Sequence, residues 1–152
     1  LRKLDGLIAL QKKNKQAIKD ALAEIKGVGF RELPDPEGDS ATFLSFNLPS
    51  EDLRRRYQKA LKEAGLDTVC WKDNLWHYVP NWEHFLARST ANSKRFPFES
   101  PMNSRPPVYD RKDIPRAEDI LGRTLTIGMS VIMPQERIDG IRQAIARAAR
   151  AL

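Results

Sequence analysis

Four prolines fall within the twelve residues FPFESPMNSRPP at positions 96–107, and this tract divides whatever the chain builds. Proline fixes φ and lacks a backbone donor, so neither a regular helix nor a central strand can run through it. The tract reads as a connecting arm, with regular structure formed separately on its two sides. A length of 152 residues suits one domain with a real core, or one sizeable piece of a larger protein.

Ahead of the arm, Leu1, Leu4, Leu7, Ile8, Ala17, Ile18, Ala21, Leu22 and Ile25 recur at helical spacing, and Gly27 closes the run as a C-terminal cap. Residues 28–33 read as a strand. The turn-rich PDPEGDS then leads into ATFLSFNLP, where Leu44, Phe46 and Leu48 alternate with Ser45 and Asn47, the mark of a half-buried strand. Ser50, followed by Glu51 and Asp52, starts a helix carried by Leu53, Tyr57, Ala60 and Leu61 to Gly65. Residues 67–71 read as one more short strand. Beyond the arm, a helix from Pro115 to Gly122, a strand over 124–131 and a helix over 135–152 with Ile138, Ile141, Ile145 and Ala149 inward complete the chain. The fold class is α+β, a small and mainly antiparallel sheet with helices packed on one face.

Composition narrows the function classes. With 41% hydrophobic and 30% charged residues, and no apolar run near the roughly 20 residues of a membrane span, the chain has an ordinary globular make-up and no membrane partner is expected. The single Cys70 can form no internal disulfide and no metal pair; it fits a reducing cytoplasm and a small buried hydrophobe. The net charge of +6 is not concentrated: Arg54, Arg55 and Arg56, the tight basic triplet, follow Glu51 and Asp52 as on a solvated helix surface. No nucleic-acid motif accompanies them, so no nucleic-acid partner is expected.

Chemistry-bearing residues gather instead in residues 69–85, VCWKDNLWHYVPNWEHF, which hold three Trp, both His and the only Cys. These types supply stacking surfaces and proton donors, or alternatively Trp71, Trp76 and Trp82 anchor a long loop onto a core. His77 and His84 lie seven apart with scattered acids, which matches no metal motif, so no metal is expected. His84 fits a short helix turn.

In their order, LRKLDGLIALQKKNKQAIKDAL, ELPDPEGDSATFLSFNLP, WHYVPNWEHF and ILGRTLTIGMSVIMPQERIDGIRQAI resemble the C-terminal part of the pyridoxal-phosphate sugar aminotransferases, the DegT/DnrJ/StrS group of fold type I. LRKLD at 1–5 resembles the end of that family's helix between the large cofactor domain and the small domain. The WHYVPNWEHF loop is similar to the branch making 8-amino-3,8-dideoxy-octulosonate. The chain also opens inside an amphipathic pattern, without an initiator Met or a capping residue, so Leu1 reads as a cut point and residues 1–152 as the small domain of a longer enzyme.

The resemblance implies transfer of an amino group from a donor such as glutamate to a keto-sugar, in a cytoplasmic homodimer carrying pyridoxal phosphate. The family's Schiff-base Lys belongs to the large domain, so no catalytic residue is expected within this chain. What remains is the substrate mouth between domains. His77 aligns with a family His and is expected to bind sugar hydroxyls or a carboxylate, or else to be a loop histidine satisfied by a backbone carbonyl. Trp76 offers a stacking face, and Asn74 and Tyr78 are candidates by proximity. Arg105 has the fork that matches carboxylate or phosphate oxygens, or is a solvated Arg between prolines. Arg123 matches a family Arg and serves substrate or domain anchoring. Two alternatives stand beside this reading: a sugar dehydratase of the same fold, with His replacing the Schiff-base Lys, and a free-standing binding domain using the aromatic loop.

Overall fold

Alternation of apolar and polar residues sets the sheet. In the computed structural model, which describes residues 2–105 and 107–152, β2 (Phe43–Asn47) lies between β1 (Gly29–Phe30) and β3 (Thr124–Gly128), all antiparallel. Leu1, at the start of the predicted helical face, and Pro106, one of the arm's prolines, lie outside the described residues. The register pairs Leu44 with Ile127 and Phe46 with Leu125, so one face of the sheet is wholly apolar. The opposite face pairs Ser45 with Thr126 and Asn47 with Thr124 and is polar except at its end, where Phe43 lies opposite Gly128.

Helices cover the apolar face. They are α1 (Leu4–Ala23) ahead of β1, α2 (Glu51–Glu63) after β2 and, following β3, α5 (Gln135–Ala148). Ile18 and Leu22 of α1, Tyr57 and Leu61 of α2, and Ala144, Ile145 and Ala148 of α5 enter one core with Leu44, Phe46, Leu125 and Ile127. Burial of each such side chain contributes about 1.5–3 kcal/mol, which makes this layer the main source of stability. Tyr57 meets Phe46 edge-on at 6.3 Å and donates its hydroxyl to the Ile145 carbonyl at 3.3 Å, linking α2 to both sheet and α5. Ser50 caps α2 by accepting from the Leu53 amide at 3.2 Å, as predicted. The expected α+β fold with helices on one face of a small antiparallel sheet is the fold found.

Three expectations are corrected. Residues 67–71 form no strand: Val69 alone bridges to Thr126 on the free edge of β3, and the chain then tightens into a 3₁₀ turn, Trp71–Asp73. The strand predicted over 28–33 is limited to Gly29–Phe30, because the chain leaves the sheet for a turn in which the Gly38 amide bonds to Asp35 Oδ1 at 2.9 Å. Arg54 is not a solvated helix residue; it is 1% exposed and shares the inner stripe of α2 with Tyr57 and Leu61. Among the described residues no helix is long and apolar enough to cross a membrane.

Candidate functional site

On the polar face of the sheet Thr124 donates its hydroxyl to the Ile120 carbonyl at 2.6 Å, and the aromatic loop meets Thr126 beside it. Trp71 donates its indole Nε1–H to Thr126 Oγ1 at 3.0 Å, and Thr126 Oγ1 lies 2.9 Å from Ser45 Oγ on the neighbouring strand. A Trp tip needs a partner when its ring is covered, and the two hydroxyls supply it from the middle of the sheet. The His77 imidazole stands edge-on against the Trp71 ring, 5.0 Å between centroids. His77 is therefore held over the polar face while remaining exposed to solvent.

Asn74 makes the turn that places it. Its Oδ1 accepts from the Trp76 amide at 2.7 Å and the His77 amide at 2.9 Å, and lies 3.0 Å from His77 Nδ1. Asn side chains stabilise turns in just this manner. Asn74 is thus a scaffold for His77, with its side-chain oxygen already engaged. Trp76, at the tip, is 82% exposed, with the free aromatic face expected of a stacking platform.

The other sequence-nominated residues lie elsewhere. Tyr78 is buried and lines a cleft with Lys72, Leu75, Pro80, Asn81, Arg111 and Glu118. No hydrogen bond or ion pair joins Arg105, exposed in the arm, to the loop among the described residues. Arg123 precedes β3 and donates Nε–H to Asp119 of α4 (Pro115–Gly122) at 3.1 Å, a surface pair one helical turn apart. The structure brings His77, Asn74 and Trp76 together, and leaves Tyr78, Arg105 and Arg123 apart from them.

Charged residues that were not singled out fasten the loop from behind. Buried Arg54 donates Nε–H to the Gly122 carbonyl at 2.7 Å and Nη1–H to Gln58 Oε1 at 2.9 Å and Asp73 Oδ2 at 3.1 Å. Lys72 reaches Glu51 Oε2 at 2.8 Å and Glu118 Oε1 at 3.2 Å. The bond to Glu51, and then that to Glu118, holds the Lys72 ammonium above its usual pKa, and the same bond from Lys72 draws Glu51 below the ordinary carboxylate range. These pairs clamp the 3₁₀ turn between α2 and α4. The helical spacing of Arg54 with Tyr57 and Leu61 was the available signal.

Cys70, beneath the turn, is buried and its thiol is pushed up by that burial, so it packs as a small hydrophobe. The arm attaches through a separate aromatic group: Phe85 of α3 (Glu83–Leu86), Phe98 and Tyr109 meet edge-on at 5.4–6.3 Å. Arg111 Nη1–H donates to the Pro80 carbonyl at 2.7 Å and ties the arm's end to the loop. His84, as expected, sits in a short helical turn, stacked on Trp82.

No family model matches the chain. In fold it is similar to a solved structure of 3-amino-5-hydroxybenzoic acid (AHBA) synthase, with a TM-score of 0.61 and 16% identity, over 99% of this chain and 36% of that one. The chain thus spans little more than a third of the length of that enzyme. At this identity the shared property is the fold.

Proposed function

We propose that the chain is the C-terminal small domain of a pyridoxal-phosphate-dependent aminotransferase of fold type I. The complete enzyme moves an amino group from an amino-acid donor, glutamate, to a keto-sugar or keto-octulosonate in the synthesis of cell-surface or lipopolysaccharide sugars. The observation that carries this reading is the similarity of 99% of the chain to about a third of an enzyme named for an amino-bearing product. The order of its sequence motifs supports the same family. Exposed Leu4, Leu7 and Leu10 along α1 supply an apolar stripe on which the large domain would pack.

Lys72, the lysine beside the candidate site, does not fit a covalent hold on the cofactor. Lys72 adjoins the aromatic loop, but its amine is bridged by two carboxylates and its pKa is raised, the reverse of what a nucleophilic amine needs. The large domain would hold the cofactor, and the partner subunit of a homodimer would complete the mouth. In this account the small domain orients substrate: His77 offers its free ring nitrogen to a sugar hydroxyl or carboxylate, and Trp76 offers a stacking face. Arg105 would hold a carboxylate or phosphate of the substrate, and Arg123 would serve substrate or anchor the small domain to the large one. Alone, the 152 residues are inactive.

The test is His77→Ala in the full-length enzyme. The expected result is a raised KM for the keto-sugar or a lowered kcat, with the cofactor absorbance unchanged. Unaltered kinetics would remove His77 from the site.

A further inference from the structure

A cleft whose lining does not include His77 has a volume of about 380 Å³ and lies between the aromatic loop, α4 and the chain beyond the arm. That is within the range of small-molecule sites. Tyr78 lines it, is only 4% exposed, and its hydroxyl finds no hydrogen-bond partner among the described residues. Such an orphan is uncommon, since a buried hydroxyl without a partner is destabilising by about 1–3 kcal/mol. The neighbouring groups retain unused bonding capacity. Arg111 uses Nη1 on the Pro80 carbonyl and has only a long, 4.0 Å contact to Glu83, while Glu118 and Asp73 each have one carboxylate oxygen engaged.

Charge decides the class of ligand. Lys72 and Arg111 are balanced in the lining by Asp73 and Glu118, so an anion would meet two carboxylates and a cation would meet two cations. Hydroxyl groups both donate and accept, and they match donors from Tyr78 and Arg111 as well as acceptors on Asp73 and Glu118. Leu75 and Pro80 add an apolar strip suited to the C–H edge of a ring. We propose that this cleft binds an uncharged, hydroxyl-rich ligand of monosaccharide size, with Tyr78 as its buried polar anchor. Because the Tyr78 hydroxyl is itself covered, a ligand hydroxyl reaches it only if rim side chains such as Leu75, 70% exposed, move aside. The site does not depend on the aminotransferase reading, and its lining includes none of His77, Asn74 and Trp76.

The test is an NMR titration of the chain with methyl β-D-glucopyranoside, and in parallel with inorganic phosphate and with L-glutamate, reading the Tyr78 ring and the Arg111 Nε–H. The glycoside is expected to give saturable shifts at both groups. Tyr78→Phe is expected to fold with an unchanged or higher melting temperature, because its hydroxyl has no partner, and to weaken glycoside binding by about 3- to 10-fold. Should that variant not fold, Arg111→Ala, an exposed position, reads the same loss. Absence of saturable shifts with the glycoside overturns the proposal, as does saturation by phosphate or glutamate in its place, or equal glycoside affinity in the variant.

Discussion

Trp71 hands its indole proton to Thr126 at 3.0 Å, and through that bond the aromatic loop is moored to the middle of β3. Thr126 is buried and also meets Ser45, so three side chains share one polar contact beneath His77. Thr126→Val keeps the shape and removes the acceptor. It is expected to destabilise the chain by about 1–3 kcal/mol, because the Trp71 N–H and Ser45 hydroxyl lose their partner. Chemical denaturation of the variant, with Trp71→Phe and the double variant, measures it. Additive effects would mean that the bond does not couple loop to sheet.

Arg54 joins α2, α4 and the loop from within. Arg54→Met preserves much of the volume, yet strips the Gly122 carbonyl of its 2.7 Å donor and Asp73 of its cation. A loss of about 1–3 kcal/mol is expected, chiefly from the buried Gly122 carbonyl left without its donor, since Asp73 is half exposed. Arg55→Met, on the exposed side of the same helix, is expected to stay within about 1 kcal/mol of wild type. Equal effects of the two substitutions would contradict the assignment of Arg54 as the buried strut.

Acid should loosen the same clamp. Glu51 has its pKa lowered, first by the hydrogen bond from Lys72, so its stabilisation is present above the ordinary value of 4.5 and is lost as pH falls through the lowered one. Asp39 behaves alike through its hydrogen bond to Lys15, losing its contribution below about 3.8. Melting temperature followed downward from pH 6 is expected to fall less in Glu51→Gln than in wild type. The same acid slope in both would place the effect elsewhere.

Trp76 carries no packing that the fold needs. At 82% exposure, Trp76→Ala is expected to change stability by no more than about 0.5 kcal/mol, measured by thermal melting. A larger loss would show that the ring is covered in the native chain and is no free platform.

What could be read from the residues was what repeats. The alternation of Leu44, Phe46 and Leu48 and the spacing of Leu53, Tyr57 and Leu61 gave the sheet and α2, because periodicity reports burial on a regular element. Short-range turn chemistry was harder. Val69 and Cys70 alternate outward and inward as in a strand, but the chain must turn at once for Trp71 to reach Thr126, and Asn74 completes that turn. Arg54 was hidden by its type: charge suggested solvent, whereas its position on the Tyr57–Leu61 stripe dictated burial. His77 was nominated by its match to a family His and Trp76 by the aromatic make-up of the loop, and periodicity marks neither. Their separation from Tyr78 follows from which way successive loop residues face, and no sequence period records that.

The central claim is that these residues serve a pyridoxal-phosphate enzyme whose cofactor is held outside them. The most direct measurement is borohydride reduction of the full-length natural protein, followed by peptide mapping by mass spectrometry. The account predicts one phosphopyridoxyl-lysine, located N-terminal to Leu1 and on no lysine of the 152 residues. A full-length protein that takes up no pyridoxal phosphate, or one modified at Lys72, would contradict it.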